Sequence, residues 1–507
     1  MTRGLVVLCV ILAVLTACTT TSRQPVTLQV LASSELADMA PLLAELRAQT
    51  GIELDMDFQG TVDASSAVTQ GVDRYDLAWL SSDHYLQLDL RRSGYPGPRP
   101  LSTTTMLSPV VVGVTRATAQ RLHSGGRPVS WADLADRAAS GELRFAMGDP
   151  HHASEGLAAL VGVATAAAGT GQALRPADVI CNRVRGFLTG HKLATAKLVD
   201  NFVAHRAELD ALVTHESVLL SLNGSGRLPE PLEIIYPADG IVQSDYPLLL
   251  LDPTKRAAYD RVVGWLRSPP VQQEIMERTA RQPIDPEVPR SARLPVATGN
   301  ALYFPDQPEV IDRLLADYDA AATQPPSHVI YLLDFSGSMR GPRMAALRQA
   351  FTELTGAGEP TFVRFHQGEQ LTVIRFGGQI LDERRFTVDD PTDLVALRDL
   401  VGTEPYDGNT ALWSTVGHAY DLAATITAGD GVSVVLITDG ISNTGLTADD
   451  FLSRHRDHQP AVPLFTIRIG EADLAELTRV ATATGGRAVD AGRGSLPAAM
   501  KEIRGCL

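Results

Sequence analysis

Val329-Ile330-Tyr331-Leu332-Leu333-Asp334-Phe335-Ser336-Gly337-Ser338 joins a short apolar run to a carboxylate and two hydroxyls at alternate positions. An apolar run of this length ending in a Ser/Gly turn predicts a buried parallel strand, and open α/β sheets collect their ligands at the carboxyl ends of such strands. Alternate residues of an extended segment face the same way, so Asp334, Ser336 and Ser338 can converge on one point. Carboxylate and hydroxyl oxygens suit a hard divalent cation. Taken alone, Asp-x-Ser-x-Ser is also a common turn sequence.

Two later segments bear on that choice. Val432-Ser433-Val434-Val435-Leu436-Ile437-Thr438 is a second β-branched run, and it ends in Asp439-Gly440, another carboxylate at a strand's carboxyl end. Between the two runs, Asp407-Gly408-Asn409-Thr410-Ala411-Leu412 is a turn leading into a helical pattern, and it offers the hydroxyl of Thr410. The combination resembles the von Willebrand factor A (VWA) domain with its metal-ion-dependent adhesion site, whose Asp-x-Ser-x-Ser, Thr and Asp are matched at all five positions. The resemblance implies a doubly wound, Rossmann-like α/β domain over 327–507. It further implies that Ser336 and Ser338 touch Mg²⁺ (or Mn²⁺) directly, while Asp334, Thr410 and Asp439 bind it directly or through water. Hydroxyls and waters neutralise little of the ion's charge, so a carboxylate from a protein partner can complete the shell. Helical patterns at 344–354, 392–401, 412–426 and 474–484 and strands at 371–376 and 463–469 follow the same βα order. Trp413, three residues after Thr410, reads either as core packing or as part of a partner-binding surface.

The amino terminus bears on location. Leu5 to Leu15 is an unbroken apolar run after Arg3 and Gly4, too short for a membrane span and suited to a signal peptide. Leu15-Thr16-Ala17-Cys18 resembles the lipobox of bacterial lipoproteins. That implies a signal over 1–18, acylation of Cys18, a polar tether over 19–25, and a protein lipid-anchored on the extracytoplasmic face of the cell membrane. An ordinary secretory signal is the alternative. The net charge of −15 argues against nucleic acid and against anionic headgroups as partners. Of the four cysteines, Cys9 would leave with the signal and Cys18 would carry lipid. Cys181 and Cys506 then remain, either paired in a disulfide that ties the carboxyl terminus to the first domain or as two free thiols.

Residues 26–289 read as a separate α/β unit. Val26 to Ala32 is a strand, Leu36 to Arg47 has helical apolar spacing, Ile52 to Phe58 alternates as a strand, and Asp76 to Leu80 precedes Ser81-Ser82. This order resembles the two-lobed type 2 periplasmic solute-binding fold, the receptor component of ABC importers. The likeness continues through a crossing strand at Ser108 to Thr115, a loop opening onto a helix at Asp149 to Gly156, a return crossing near Tyr236 to Gly240, and closing helices over 255–267 and 270–279. It implies an interlobe cleft lined by Ser33, Ser34, Thr61, Ser81, Ser82 and Ser154. Ser33, Ser34 and Ser154 would stand at helix N-termini, which favour an anion or carboxylate; serines also cap helices with no ligand involved. His151 and His152, beside Asp149 and Glu155, read as solvated loop residues rather than a transition-metal site, because adjacent histidines point apart.

Pro286 to Pro326, which includes the linker over 290–326, is rich in Pro and short polar residues, yet Val310, Ile311, Leu314, Leu315 and Tyr318 predict a helix from Pro308 to Ala321, expected to pack between the domains. No Ser-His-Asp order, paired catalytic carboxylates or phosphate loop stands out, which speaks for a binding protein and against an enzyme. The expectation is an exported, lipid-anchored protein whose VWA domain engages an acidic group of a protein partner through a divalent cation. The competing expectation, from the transport class, is a receptor that delivers a small solute to a permease, with the VWA domain as an accessory.

Overall fold

The computed structural model describes residues 26–504 except 72–73, 95–98, 125, 170, 177, 180–183, 196, 295–299, 324–327, 357–364, 366–367, 390, 404–405, 427–430, 456–461 and 494. Cys18 with the leader and tether, Cys181 and Cys506 lie outside the described residues.

The first lobe is built on Val26–Ser33, which pairs in parallel with Ile52–Gln59 on one side and Leu77–Trp79 on the other. Pro247–Leu250 and Leu101–Thr104 continue the sheet antiparallel. Leu28, Val30, Leu31 and Ala32 are all fully buried, the near-continuous apolar pattern of a strand covered on both faces. Helix Ala40–Thr50 stops where Gly51 takes a left-handed conformation (φ +70°) that only glycine adopts cheaply.

Ser108–Val114 lies in a second sheet. Its order is Gln243–Ser244, Ser108–Val114, Ala211–His215, Phe145–Met147 and His191–Leu193, with Glu233–Ile235 also paired to Ser108–Val114. The chain therefore passes between lobes before Ser108, returns between Ser244 and Pro247, and touches the junction again where Gln282 and Leu107 exchange backbone hydrogen bonds at 2.7 and 2.9 Å. This return lies a few residues beyond the Tyr236–Gly240 turn singled out in the sequence.

The third sheet has the order Ile380–Thr387, Gln370–Phe376, His328–Asp334, Val432–Thr438, Leu464–Arg468, Ala488–Asp490. Every pairing is parallel except that of the edge strand Ile380–Thr387. That edge strand escapes sequence reading because it carries Asp382, Glu383, Arg384 and Arg385, charges that blunt an exposed edge instead of alternating with apolar residues. The closing helix Leu496–Arg504 is tied in by a buried guanidinium. Arg504 donates to both Glu369 oxygens at 2.8 and 2.9 Å and to the Tyr331 hydroxyl at 3.0 Å.

The linker helix forms, over Pro308–Thr323, but its apolar face is not spent on a joint between the two domains. Val310, Ile311 and Leu314 are fully buried in the core that also holds Trp131, Phe145 and Phe187 of the second lobe. An apolar stripe at this spacing is stabilised wherever a matching core is nearest, and the second lobe supplies it.

Candidate metal centre

His328–Asp334 and Val432–Thr438 are neighbours at the middle of the third sheet, with Leu333 opposite Ile437. Asp334 and Asp439 thus emerge at the same edge, both buried. Asp334 Oδ1 accepts the Ser336 amide at 2.8 Å, which turns the chain back on itself, and Oδ2 accepts the Thr438 hydroxyl at 2.6 Å. The Ser336 and Ser338 hydroxyls are 3.0 Å apart, and Ser338 donates to Asp439 Oδ1 at 2.8 Å.

Thr410 arrives on a loop held from two sides. Asp407 donates its amide to the Phe335 carbonyl at 3.0 Å, and a Cβ on Gly377 would meet the Asp407 Cβ at 2.3 Å, so that approach requires glycine. Asn443 accepts the Thr410 amide at 2.9 Å and returns its own amide to the Thr410 carbonyl at 3.0 Å. A carbon placed on Gly440 would lie 3.6 Å from Thr410 Oγ1, 3.8 Å from Ser338 Oγ and 3.9 Å from Asp334 Oδ2. Oxygens from three separate chain segments therefore surround one point beside the Gly440 backbone.

Charge at this edge is unbalanced. Burial pushes the Asp334 carboxyl above its ordinary range and the nearby Asp439 adds to the rise, against the hydrogen bonds from Thr438 and Ser336. Arg343, from helix Pro342–Leu354, pairs with Asp439 Oδ2 and donates to the Ser338 carbonyl at 3.2 Å. The guanidinium thus pairs with one of the two buried carboxylates, Asp439, and Ser338 is exposed, leaving the cradle open to solvent. Among the described residues no three His, Cys, Asp or Glu side chains cluster as a metal cage. The donor set is two carboxylates with three hydroxyls, all oxygen, which fits a hard cation and not a soft one.

Thr438, Asn443 and Arg343 went unread in the sequence. Thr438 was legible, standing directly before Asp439 at the end of a buried strand. Asn443 and Arg343 reach the centre only through folding. Trp413 is core: it is 1% exposed, and its indole donates to Glu476 at 2.9 Å. It also forms the floor of a groove of about 310 Å³ walled by Ile441, Asn443, Leu446 and Thr447, and Ile441 is 62% exposed immediately after Gly440.

The interlobe serines meet as well, but they satisfy one another. Hydroxyl contacts run Ser33–Thr61 at 2.7 Å, Thr61–Ser81 at 2.7 Å and Ser81–Ser154 at 2.6 Å, the last spanning the lobes. Ser82 borders the same seam and accepts the His84 amide at 3.2 Å, whereas Ser34 is exposed. Ser154 is the first residue of its helix rather than its cap, which is Ala153. The seam does not resemble an anion pocket. Burial raises the Glu155 carboxyl to about 7, with Glu35 contributing, and a buried Glu35 oxygen has no hydrogen-bond partner among the described residues. His151 and His152 are loop residues, His152 exposed and His151 half-buried, and both also make ion pairs: His152 with Asp63 of the first lobe at 2.9 Å and His151 with Asp319 at 2.8 Å; the His152 carbonyl accepts the Val62 amide of the first lobe at 3.0 Å.

Comparison with known families agrees with both halves. Residues 28–278 match the model for bacterial extracellular solute-binding proteins and residues 328–494 match that for the von Willebrand factor type A domain. The chain therefore joins a solute-binding domain to a VWA domain. Among solved structures, the periplasmic binding protein AfuA from Actinobacillus pleuropneumoniae, with exogenous fructose-6-phosphate bound, is 12% identical, with 59% of this chain and 99% of that one covered and a TM-score of 0.45. A ferric binding protein from Campylobacter jejuni is 13% identical over 58% of this chain and 97% of its own, TM-score 0.43. The sulfate-binding protein SubI from Mycobacterium tuberculosis is 15% identical over 54% and 94%, TM-score 0.39. No curated protein matches the chain. The solute-binding family is extracellular, and this chain is accordingly extracytoplasmic. Among the described residues no helix is long and apolar enough to cross a membrane.

Proposed function

We propose that the chain is a lipid-anchored binding protein of the outer face of the cell membrane. In this reading Asp334, Ser336, Ser338, Thr410 and Asp439 hold Mg²⁺ or Mn²⁺, and the VWA domain uses it to engage an acidic group on a protein partner. The observation that carries the reading is the meeting of Thr410 Oγ1, Ser338 Oγ and Asp334 Oδ2 around one point beside Gly440. When bound, the ion supplies an electrophilic coordination position for a carboxylate. The protein's own groups divide the remaining work. Asp334 and Asp439 provide negative charge, Asn443 fixes the Thr410 loop, Arg343 orients Asp439, and exposed Ile441 offers apolar contact to residues flanking the partner's acid. Cys18 would carry the anchor; the role is binding, with no catalytic step.

The test is capture of an envelope protein by the immobilised ectodomain in Mg²⁺, its elution by EDTA, and its loss in Asp439→Ala. Capture that survives EDTA, or that Asp439→Ala retains, overturns the reading. For the anchor, Cys18→Ser should move the protein from the membrane fraction to the soluble fraction; unchanged membrane association rejects lipidation there.

A second reading draws on the two-lobed domain with its crossings at Ser108, Ser244–Pro247 and Gln282. The first domain is then a receptor that passes a small solute to a permease. Mass spectrometry of a small molecule released on denaturing the purified protein distinguishes the two.

A further inference from the structure

We propose that residues 300–323 form an internal strap that holds the two lobes of the solute-binding domain shut, so that a solute enters only after the strap lets go of the first lobe. The strap begins at an isolated parallel bridge between Ala301 and Ile241. Ile241 donates its amide to the Asn300 carbonyl at 2.9 Å, and Leu302 donates to the Ile241 carbonyl at 2.8 Å. Leu302 then seats against Gly240, where a side-chain carbon would approach Leu302 Cδ2 to 2.3 Å.

Phe304 follows and stacks on His84 of the first lobe, ring centroids 5.1 Å apart. Both rings line the interlobe cavity together with Thr61, Ser82 and Ser154, and that cavity measures only about 20 Å³. Such a space holds a single water molecule, not a solute. The lobes are also in direct contact across it, Val62 of the first donating its amide to the His152 carbonyl of the second at 3.0 Å.

The helix completes the strap by gripping both sides. Toward the second lobe, Arg313 donates to the carbonyls of Pro176 and Val179 at 2.6 and 3.2 Å, His151 meets Asp319, and Val310, Ile311 and Leu314 are fully buried. Toward the first lobe, Arg92 pairs with Asp312 at 2.6 Å, Arg91 donates to the Asp306 carbonyl at 2.8 Å, and Leu88 joins the shared core. Exposed ion pairs contribute little, and apolar burial contributes most. The grip on the second lobe is therefore the stronger, and opening breaks the Phe304–His84 and Asp312–Arg92 contacts first. A type of hinge closure that free receptors reach on binding is here supplied by the chain itself.

Hydrogen–deuterium exchange on the full ectodomain tests this, comparing wild type with Phe304→Ala/Asp312→Arg, which spares the buried helix face and so the fold. In wild type, amides at 61–66 and 152–157 should be protected. In the variant their exchange should rise by about tenfold or more, with strand 432–438 of the VWA domain unchanged. Adding Arg92→Asp, which re-forms the ion pair in reverse, should recover part of the protection. The proposal is overturned if the seam exchanges as fast as exposed loops in wild type, or if the variant leaves it as protected as before.

Discussion

Asp334→Asn is predicted to reverse the stability order of variant and wild type depending on whether a divalent cation is present. The substitution keeps the shape of a fully buried side chain. Its retained oxygen can still accept the Ser336 amide, and its new NH₂ can donate to Thr438, whose hydroxyl now donates to Asp334 at 2.6 Å. Two hydrogen bonds to a charged acceptor become neutral ones, at a loss of about 1 kcal/mol, while the cost of burying a carboxylate beside Asp439 disappears. The two effects oppose each other, so in chelator the variant should lie within about 1 kcal/mol of wild type, on either side. With cation at a hundredfold excess over its dissociation constant, wild type gains about 2.7 kcal/mol, or about 5–10 °C for a domain of this size, and the variant gains little. Calorimetry of the ectodomain, following the VWA transition with metal-free buffer and with Mg²⁺ or Mn²⁺, reads both arms. Equal cation-induced shifts in the two proteins, or no shift in wild type, would refute the reasoning. The pH dependence follows from the direction of the Asp334 shift. Its folded-state pKa is raised above the ordinary 3.8, so the metal-free domain holds this proton more tightly than the unfolded chain and loses that stabilisation as pH rises through the raised value. The cation-induced shift should therefore vanish below pH 3.8 and grow with pH across that window.

Glu369→Ala strands the buried Arg504 guanidinium, now paired at 2.8 and 2.9 Å, and should cost the VWA domain about 3–5 kcal/mol in denaturant unfolding; a loss under 1 kcal/mol would contradict the burial of the pair. Gly440→Ala places a methyl at ordinary contact distance, 3.6–3.9 Å, from the three oxygens of the cradle. It should leave metal-free stability within about 1 kcal/mol while weakening cation binding by titration calorimetry at least tenfold. Unchanged affinity would move the centre elsewhere. Glu155, raised to about 7 by burial and by Glu35, stabilises the closed lobes fully below its ordinary 4.5 and less as pH rises through 7. The first domain should then lose at most about 3 kcal/mol between pH 4.5 and 8 from this group, and Glu155→Gln should remove that slope in thermal unfolding.

The strands that carry Asp334 and Asp439 were legible because parallel strands buried on both faces are written as short unbroken apolar runs, and their polar ends stand out against them. The helix at 308–323 was legible for a similar reason, its apolar residues recurring at the period of a helix. Its destination was not, since Val310, Ile311 and Leu314 state only that some apolar surface must cover them. The edge strand Ile380–Thr387 was missed because exposure and charge erase its period. The helix Leu496–Arg504 was missed although Leu496, Ala499, Met500 and Ile503 recur at helical spacing and are buried in the core, the helix being only nine residues long.

From its sequence alone, the protein was determined to be two α/β units with five oxygen-bearing residues, two at strand ends and three in the turns beside them, of a chemistry suited to a hard cation. Only the tertiary structure decided that Asn443 and Arg343 come beside those residues, that the interlobe serines bond to one another across the seam, and that the linker helix packs on the first domain. The difference has one physical cause. Periodicity and turn chemistry act between near neighbours and are written in the order of residues. Which surface covers an apolar face, and which hydroxyl meets which, depends on packing between segments such as Ser81 and Ser154, 73 residues apart, that no local pattern relates.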